Sequence, residues 1–347
     1  MKCHEMLSRK PEQDLPVIIN FDHIWRFLPM NRPQKEFLKT LLFTFFPFVF
    51  RSWAVYWNWK NARCFGKGAS NRYTGFRKAV TPRECNPDLL EETSSGGLPA
   101  VAVVIHAYYP EILEEMLELF HDFTSLRLKL FVTCSPDREA FCREILQKSS
   151  FSYTIKSVEN RGRDILPFLK MAPVALSEGF EVILKLHTKK SMHLKRNLQW
   201  RKDLYQKLIV GDAPERMLGC FQQHPALGMI APAGHILPMS LYYGANAARV
   251  KDLCLRMGLQ EEQLRDYVFV AGSMFAIRAR ALEAVLALNL KEDDFEPESR
   301  QVDGTLAHAV ERIFTAALLV RGLTLCDTDS YTGRGGFRVS RNYTFTL

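Results

Sequence analysis

The residues best suited to chemistry lie in residues 160–169 (NRGRDILPFL), where two arginines, a glycine and an aspartate stand together. Arg161 and Arg163 carry planar guanidinium groups that can donate paired hydrogen bonds to a phosphate. Gly162 lets the backbone approach a ligand closely. Asp164 can accept from a sugar or ribose hydroxyl, or it can cap the helix that follows. The pattern predicts a turn that binds phosphate and sugar, or else a capped turn with two solvated arginines.

A second polar group, residues 187–191 (HTKKS), directly follows an apolar stretch. Lys189 and Lys190 can neutralise a diphosphate, and the hydroxyls of Thr188 and Ser191 can donate hydrogen bonds to it. The alternative is a solvated loop, which is the usual state of a charge run. At this point both interpretations remain open.

His187 and His193 together could be interpreted as metal ligands. A catalytic or structural metal site needs further ligands, and no Cys, Asp or Glu completes a set near these two histidines. We therefore expect no metal ion at this position.

Asp303 is the candidate general base. It follows an acidic loop (residues 293–298) at the predicted start of a helix over residues 303–314. On that helix Ala307 and Glu311 would share its face. A carboxylate at the mouth of a site can take a proton from a substrate hydroxyl, and it can equally serve as a helix N-cap.

The elements that must position these groups alternate between apolar strands and amphipathic helices. Strands are predicted over residues 101–106, 126–134, 152–158, 182–187, 228–232 and 268–277. Helices are predicted to begin at Pro110, near Pro136, after Asp164 and at Asp303. This alternation predicts an α/β fold with a doubly wound, mostly parallel sheet. Ligands bind such sheets at the carboxyl ends of the strands, which is where the polar groups fall.

Gly272 lies inside the last of these predicted strands, within the sequence AGSMF. A glycine in a strand indicates close approach by a ligand or by another part of the backbone. Tight packing in the core explains it equally well.

The first 95 residues form a different kind of segment. They contain fifteen Lys and Arg against nine Asp and Glu, whereas the rest of the chain contains 31 and 29, so most of the +8 net charge lies here. Residues 40–50 (TLLFTFFPFVF) are free of charge, and Trp53, Tyr56, Trp57 and Trp59 follow. Aromatic and basic residues in this combination favour helices that lie in the membrane interface. The alternative is a pair of helices packed on the main domain, with the basic residues solvated.

These patterns divide the chain into three parts: residues 1–95, a domain over residues 96–335 and a C-terminal tail over residues 336–347. A basic stripe on the folded domain is absent from the pattern, which argues against nucleic acid as a partner. The eight cysteines form no C-x-x-C motif and are typical of a reducing cytoplasm. The polar start of the chain lacks the features of a signal peptide.

The chain resembles the rhamnan synthesis protein F family in four segments that occur in this order: ENRGRDILPFL, KLHTKKS, AGSMF and DFEPESRQVDGTLAHAVER. The resemblance covers about residues 101–331. It implies a glycosyltransferase of bacterial cell-envelope polysaccharide synthesis, such as rhamnan or O-antigen synthesis, built on a glycosyltransferase A-like domain. The implied donor is a nucleotide sugar such as dTDP-rhamnose, and the implied transfer is of the inverting type.

The resemblance also suggests how the residues divide between donor and acceptor. For the nucleotide sugar the expected residues are His106, Tyr108, Arg161, Gly162, Arg163, Asp164, His187, Thr188, Lys189 and Lys190. For the acceptor they are Trp200, Arg201, Gly272, Glu298 and His308. Asp303 would take the proton from the acceptor hydroxyl.

Metal-dependent sugar transferases hold Mn²⁺ or Mg²⁺ with a D-x-D motif after the fourth strand, and HTKK stands there in this chain. Lys189 and Lys190 would replace the cation, so no metal cofactor is expected, although Asp327-Thr328-Asp329 does match D-x-D near the end of the chain.

The expected acceptor is a lipid-linked glycan. Such an acceptor would explain an N-terminal segment that binds peripherally to the inner face of the cell membrane, and the protein is expected in the cytoplasm. Two other functions remain open at this point. The chain could be a non-catalytic partner in polysaccharide assembly on the same fold, since a fold does not determine a function. It could also be a transferase of phosphoryl groups.

Overall fold

The computed structural model describes residues 30, 32–50, 98–120, 123, 126–188, 197–265, 267–299, 301, 303–330, 337–340 and 343. The chain divides into two compact units, Met1–Arg51 and Ser52–Leu347. The predicted boundary near residue 95 lies outside the described residues.

In the part of the second unit that the structure describes, seven strands form one sheet and two short strands form another. The strands are β1 (Val101–His106), β2 (Leu128–Cys134), β3 (Tyr153–Ser157), β4 (Val182–His187), β5 (Leu227–Ala231), β6 (Ile236–Pro238), β7 (Val268–Val270), β8 (Phe275–Arg278) and β9 (Thr324–Asp327). The large sheet has the order β3-β2-β1-β4-β8-β5-β9, and β6 pairs with β7. Only β8 runs antiparallel to its neighbours in the large sheet, β4 and β5.

The helices of this unit alternate with the strands along the chain. They are α3 (Pro110–Leu119), α4 (Glu139–Lys148), α5 (Ile165–Ser177), α6 (Asn197–Leu208), α7 (Ala213–Gln223), α8 (Met239–Tyr242), α9 (Ala247–Arg256), α10 (Ala279–Leu286), α11 (Leu306–Glu311) and α12 (Phe314–Val320), and the first unit contains α1 (Arg32–Phe45) and α2 (Pro47–Phe50). Pro110 occupies the first turn of α3, where the missing N–H costs nothing.

The sheet is covered on both faces, and its central strands β1 and β4 are buried at every position. In β1, Ala102 and Val104 face a core that includes α5 and α12, while Val103 and Ile105 face a second core that includes α3, α4, α6 and α7. The predicted fold class, an α/β domain with a doubly wound and mostly parallel sheet, is therefore confirmed.

The strand order reverses beside β1. The chain passes from β1 outward through β2 to β3 and then returns to the opposite side of β1 to form β4. His106 and His187 end these two central strands and are direct partners in the register. A reversal of this kind opens a crevice at the carboxyl ends of the strands, which is where ligands bind in such folds.

Two predicted elements differ in the structure. The strand predicted over residues 268–277 is interrupted, because Gly272 and Ser273 both have positive φ values, 94° and 55°. As a result β7 pairs with β6, whereas β8 enters the large sheet. The helix predicted from Asp303 begins only at Leu306, because Gly304 has a φ of 87° and Thr305 caps the helix. Asp303 thus lies in the preceding loop, which corrects its predicted place.

The helical character predicted for the N-terminal segment is present in α1 and α2. Large apolar side chains on these helices and at the junction between them are exposed, namely Phe37, Leu41, Phe45, Phe46, Phe48 and Val49. None of the helices in the described part of the chain is both long enough and apolar enough to cross a bilayer. The tryptophans that follow lie outside the described residues.

Candidate functional site

A cavity of about 170 Å³ lies at the carboxyl edge of the large sheet. Its walls come from the turn after β3, the end of β4, the turn before β8, helices α6 and α11, and the C-terminal segment. The lining residues are Arg163, Asp164, Ile165, His187, Trp200, Gly272, Ser273, Ala307, His308, Glu311 and Tyr343. The cavity brings together six residues predicted from the sequence: Arg163, Asp164, His187, Trp200, Gly272 and His308.

The turn after β3 has an unusual backbone. Gly162 and Arg163 both have positive φ values, 65° and 56°. A Cβ atom at Gly162 would lie only 2.6 Å from Leu166 Cβ and 2.7 Å from a ring carbon of Phe295. The glycine is therefore required by this turn and by its packing. The left-handed conformation of Arg163 is a local strain of the kind that collects at functional sites.

The two arginines of this turn hold the acidic loop. Arg161 donates to the backbone oxygen of Glu292 and to Asp293 Oδ1, both at 3.1 Å. The Arg163 guanidinium donates to the backbone oxygen of Gln301, and the Arg163 backbone N–H donates to Glu298 at 3.1 Å. Arg161 and Glu298 are not among the residues that line the cavity, whereas Arg163 is.

Asp164 and Lys185 form a buried ion pair at the base of the cavity. Lys185 Nζ lies 2.6 Å from Asp164 Oδ2 and donates to the backbone oxygen and hydroxyl of Ser273, at 2.7 and 2.8 Å. The pair joins the arginine turn, strand β4 and the turn before β8. Asp164 stands at the N-cap position of α5 without a side-chain capping bond.

The end of β1 carries neutral polar groups. His106 Nδ1 lies 3.1 Å from the Thr133 hydroxyl. Burial lowers the pKa of His106 to about 4, so the ring is neutral at pH 7. The Thr188 hydroxyl accepts from the backbone N–H of Tyr109 at 2.8 Å. Tyr108 packs its ring against the Arg138 guanidinium, at 4.1 Å between Cζ and the ring centre.

The turn before β8 is fixed by two side chains from other elements. His187 Nε2 lies 2.8 Å from the backbone oxygen of Gly272, which accepts the ring proton. Glu311 accepts from the Gly272 backbone N–H at 3.2 Å. A Cβ atom at Gly272 would lie 2.9 Å from Trp200 Cζ2, so the close approach predicted for this glycine is an approach by Trp200. Trp200 also stacks on His187, with ring centres 6.2 Å apart.

Asp303 lies beside the cavity but does not line it. Its carboxylate accepts from the backbone N–H of Ala245 at 3.0 Å and from the Asn246 amide, and it lies 3.5 Å from the Arg312 guanidinium. Burial acts to raise the pKa of Asp303, but Arg312 and the two hydrogen bonds outweigh burial and lower it. The carboxylate is thus ionised and its charge is stabilised by hydrogen bonds and by Arg312. This stabilisation makes it a weak proton acceptor.

The remaining predicted residues fall in different places. Arg201 forms an ion pair with Glu115 at 3.1 Å, away from the cavity lining. His308 accepts at Nδ1 from Thr305 at the start of α11, which fixes its ring. Lys189 and Lys190 lie outside the described residues, as does His193.

Asp327 has a structural role in this fold. Its Oδ1 atom accepts from Asp329 and Ser330, and its Oδ2 atom accepts from the backbone N–H of Arg338 at 2.8 Å. Burial raises its pKa. Among the described residues, no three His, Cys, Asp or Glu side chains come together in a way that could hold a metal ion.

Three residues in or directly behind the cavity were not expected from the sequence: Lys185, Glu311 and Tyr343. A lysine inside the otherwise largely apolar strand VILKLH is a usable signal, because a charge buried in a central strand needs a partner. Glu311 lies on the helix face predicted for Asp303 and Ala307, but its residue type alone does not identify it as functional. Tyr343 belongs to the C-terminal segment, and nothing in the local sequence marks it.

The fold and the cavity define an α/β protein with a cavity lined by polar and aromatic residues at the carboxyl edge of its sheet. The chain belongs to the rhamnan synthesis protein F family, whose model matches residues 86–321. The expected family resemblance is thus confirmed, and it places the chain in a family of polysaccharide synthesis.

The chain is similar to part of a longer protein from Xanthomonas campestris. The chain is 35% identical over 236 residues to a protein named uncharacterized protein WxcX from Xanthomonas campestris pv. campestris strain B100, and equally to its counterpart in a second strain. The match covers 68% of this chain and 33% of WxcX, so it spans about a third of the length of these relatives. Among solved structures, 4-diphosphocytidyl-2C-methyl-D-erythritol synthase from Anaerococcus prevotii aligns with 11% identity and a TM-score of 0.31, covering 72% of this chain and 92% of that one.

Proposed function

We propose that this chain is a glycosyltransferase that moves a sugar from a nucleotide-sugar donor to a lipid-linked glycan, and that this sugar is rhamnose. One observation carries the proposal. A cavity at the carboxyl edge of the sheet is lined by Arg163 from the arginine turn, by the Glu311 carboxylate and by the aromatic rings of Trp200 and Tyr343. Guanidinium groups suit a diphosphate, and carboxylates with aromatic rings suit a sugar. Membership of a polysaccharide-synthesis family supports the same reaction class.

In this scheme dTDP-rhamnose places its diphosphate against the Arg163 guanidinium, which can donate to phosphate oxygens. His106 and Tyr108, at the end of β1, take the base and ribose side. Lys189 and Lys190 neutralise charge on the leaving diphosphate in place of a divalent cation.

The proton acceptor in this scheme is Glu311. It lines the cavity, and its position is set by the backbone N–H of Gly272. Asp303, the candidate from sequence, is held by Ala245, Asn246 and Arg312 and has a lowered pKa. We assign Asp303 to the support of the loop before α11. An inverting transfer needs one base on the acceptor side, and Glu311 supplies it.

A screen of nucleotide sugars tests the proposal. We expect dTDP-rhamnose to stabilise the protein against thermal unfolding, by about 2.7 kcal/mol when its concentration is 100 times its Kd. With a lipid-linked acceptor present, the reaction should release dTDP. Radiolabel in the rhamnosyl group should appear in the lipid fraction.

The other two functions are outcomes of the same experiment. Binding without release of nucleoside diphosphate, with every acceptor offered, would identify a non-catalytic assembly partner. Transfer of label from the β-phosphate instead of the sugar would identify a phosphoryl transferase. Loss of activity with EDTA, restored by Mn²⁺, would overturn the metal-free role given to the two lysines.

A further inference from the structure

Tyr343, which lines the cavity, is the first residue of a buried hydrogen-bond network. Its hydroxyl lies 2.7 Å from His235 Nδ1, and His235 Nε2 lies 2.7 Å from Asp203 Oδ2. Asp203 also pairs with Lys207. Trp200, which lines the same cavity, donates its indole N–H to the Tyr343 hydroxyl oxygen at 2.9 Å. His235 has no exposed surface.

The direction of each hydrogen bond among Tyr343, His235 and Asp203 follows from the groups involved. Burial acts to raise the pKa of Asp203, but His235 and Lys207 outweigh it and lower that pKa, so Asp203 is an ionised acceptor. His235 must then donate from Nε2. Burial lowers the pKa of His235, which keeps the ring neutral with a lone pair on Nδ1. Tyr343 therefore donates its only hydroxyl proton to His235.

A tyrosine whose proton is already donated can act toward a ligand only as a hydrogen-bond acceptor. The neighbouring Glu311 is also acceptor-only when ionised. Arg163, which lines the same cavity, is a hydrogen-bond donor. Phosphate oxygens can only accept, so the Tyr343 hydroxyl and the Glu311 carboxylate offer them no hydrogen bond, whereas a sugar hydroxyl can donate to either.

We propose that Tyr343, held by His235 and Asp203, recognises a hydroxyl group of the transferred sugar and so distinguishes the nucleotide sugar from the bare nucleotide. This inference rests on the proposed function, because it names a sugar-recognising residue within that site. The segment that supplies Tyr343 lies beyond the part of the chain matched by the family model, which ends at residue 321.

The test compares binding of dTDP and dTDP-rhamnose by calorimetry in the full chain. Tyr343→Phe keeps the ring and removes the hydroxyl. Loss of one net hydrogen bond weakens binding by about two- to tenfold, so dTDP-rhamnose should bind more weakly by that factor while dTDP binding stays the same. Tyr153→Phe, on β3 away from the cavity, is the matched control and should change neither affinity.

A second variant tests the hydrogen bonds from Tyr343 through His235 to Asp203. Asp203→Asn removes the ionised acceptor that sets the His235 tautomer, so it should show part of the same selective loss. Near-native thermal midpoints in both variants would show that the fold is kept.

Each result has a distinct meaning. Equal loss of dTDP and dTDP-rhamnose binding in Tyr343→Phe, or no loss of either, overturns the role of Tyr343 and leaves the proposed donor intact. A wild-type protein that binds neither compound overturns the proposed donor, and the role of Tyr343 falls with it.

Discussion

Two carboxylates, Asp303 in the loop before α11 and Glu311 at the end of that helix, have different surroundings. Asp303 is held by two neutral donors and a guanidinium group, which stabilise its charge and lower its pKa. A base stabilised in this way gains little by taking a proton. Glu311 has one backbone donor and faces the cavity. Both side chains are carboxylates, and the difference in their surroundings is the reason for the different roles that we propose for them.

Glu311→Gln should lower turnover by about 10²- to 10⁴-fold, because the amide cannot accept the acceptor proton. Binding of dTDP should remain close to that of the wild type. Asp303→Asn should lower thermal stability, since Arg312 loses its charged partner, and it should reduce turnover less than Glu311→Gln does. Steady-state kinetics and thermal unfolding of both variants measure these effects. Normal turnover in Glu311→Gln, together with a stable but inactive Asp303→Asn, would restore Asp303 as the base.

At the scale of elements, one buried ion pair joins three pieces of backbone at the site. Lys185 comes from β4, Asp164 from the start of α5, and Ser273 from the turn before β8. Side chains of Lys185 and Asp164 retain only 1% and 8% exposure. A pair so deeply buried sets the geometry of the elements, because either charge alone would be costly to bury.

Asp164→Asn should destabilise the protein by about 3–5 kcal/mol, because it leaves the Lys185 ammonium buried without its counter-charge. The double variant with Lys185→Met should recover much of that loss. Urea unfolding of the single and double variants measures the coupling between the two residues. Glu144→Gln breaks an exposed pair with Lys148 on α4 and should have little effect. A similarly small effect of Asp164→Asn would contradict the role given to the pair.

At the scale of the whole molecule, the chain contains two units of different character. The larger unit is the α/β domain with the cavity, and the smaller unit carries exposed aromatic side chains on α1 and α2. Phe37, Phe45 and Phe48 are each about two-thirds exposed, at 66%, 67% and 66%. Exposed apolar rings in a segment rich in basic residues support peripheral binding to an anionic membrane. A lipid-linked acceptor would be reached from such a surface.

The full chain should bind vesicles that contain anionic lipids, and high salt should weaken this binding without abolishing it. Basic residues supply the salt-sensitive part, at about 1 kcal/mol each near the surface, and the aromatic rings supply the rest. Replacing Phe37, Phe45 and Phe48 by Ser should remove the salt-resistant part in a flotation assay. Phe141→Ser, which changes an exposed ring on α4, is the matched control. A wild-type chain that fails to float at low salt would refute membrane binding.

The sequence by itself determined the fold class and the place of the arginine turn. Strands β1 and β4 were predicted with the bounds that the structure has, because their side chains are apolar on both faces. The turn from Arg161 to Asp164 was placed correctly between β3 and α5, since its glycine and charged residues form a local pattern. Local patterns of this kind depend on neighbours within a few residues, which a sequence displays directly.

Only the tertiary structure decided which polar groups share the cavity. Lys185 meets Ser273 across 88 positions of the chain, and Tyr343 meets His235 across 108 and Trp200 across 143. The choice between Asp303 and Glu311 likewise depends on Ala245 and Asn246, which approach Asp303 from a distant loop. Such contacts arise from the packing of whole elements, and neither hydrophobic periodicity nor residue spacing records them.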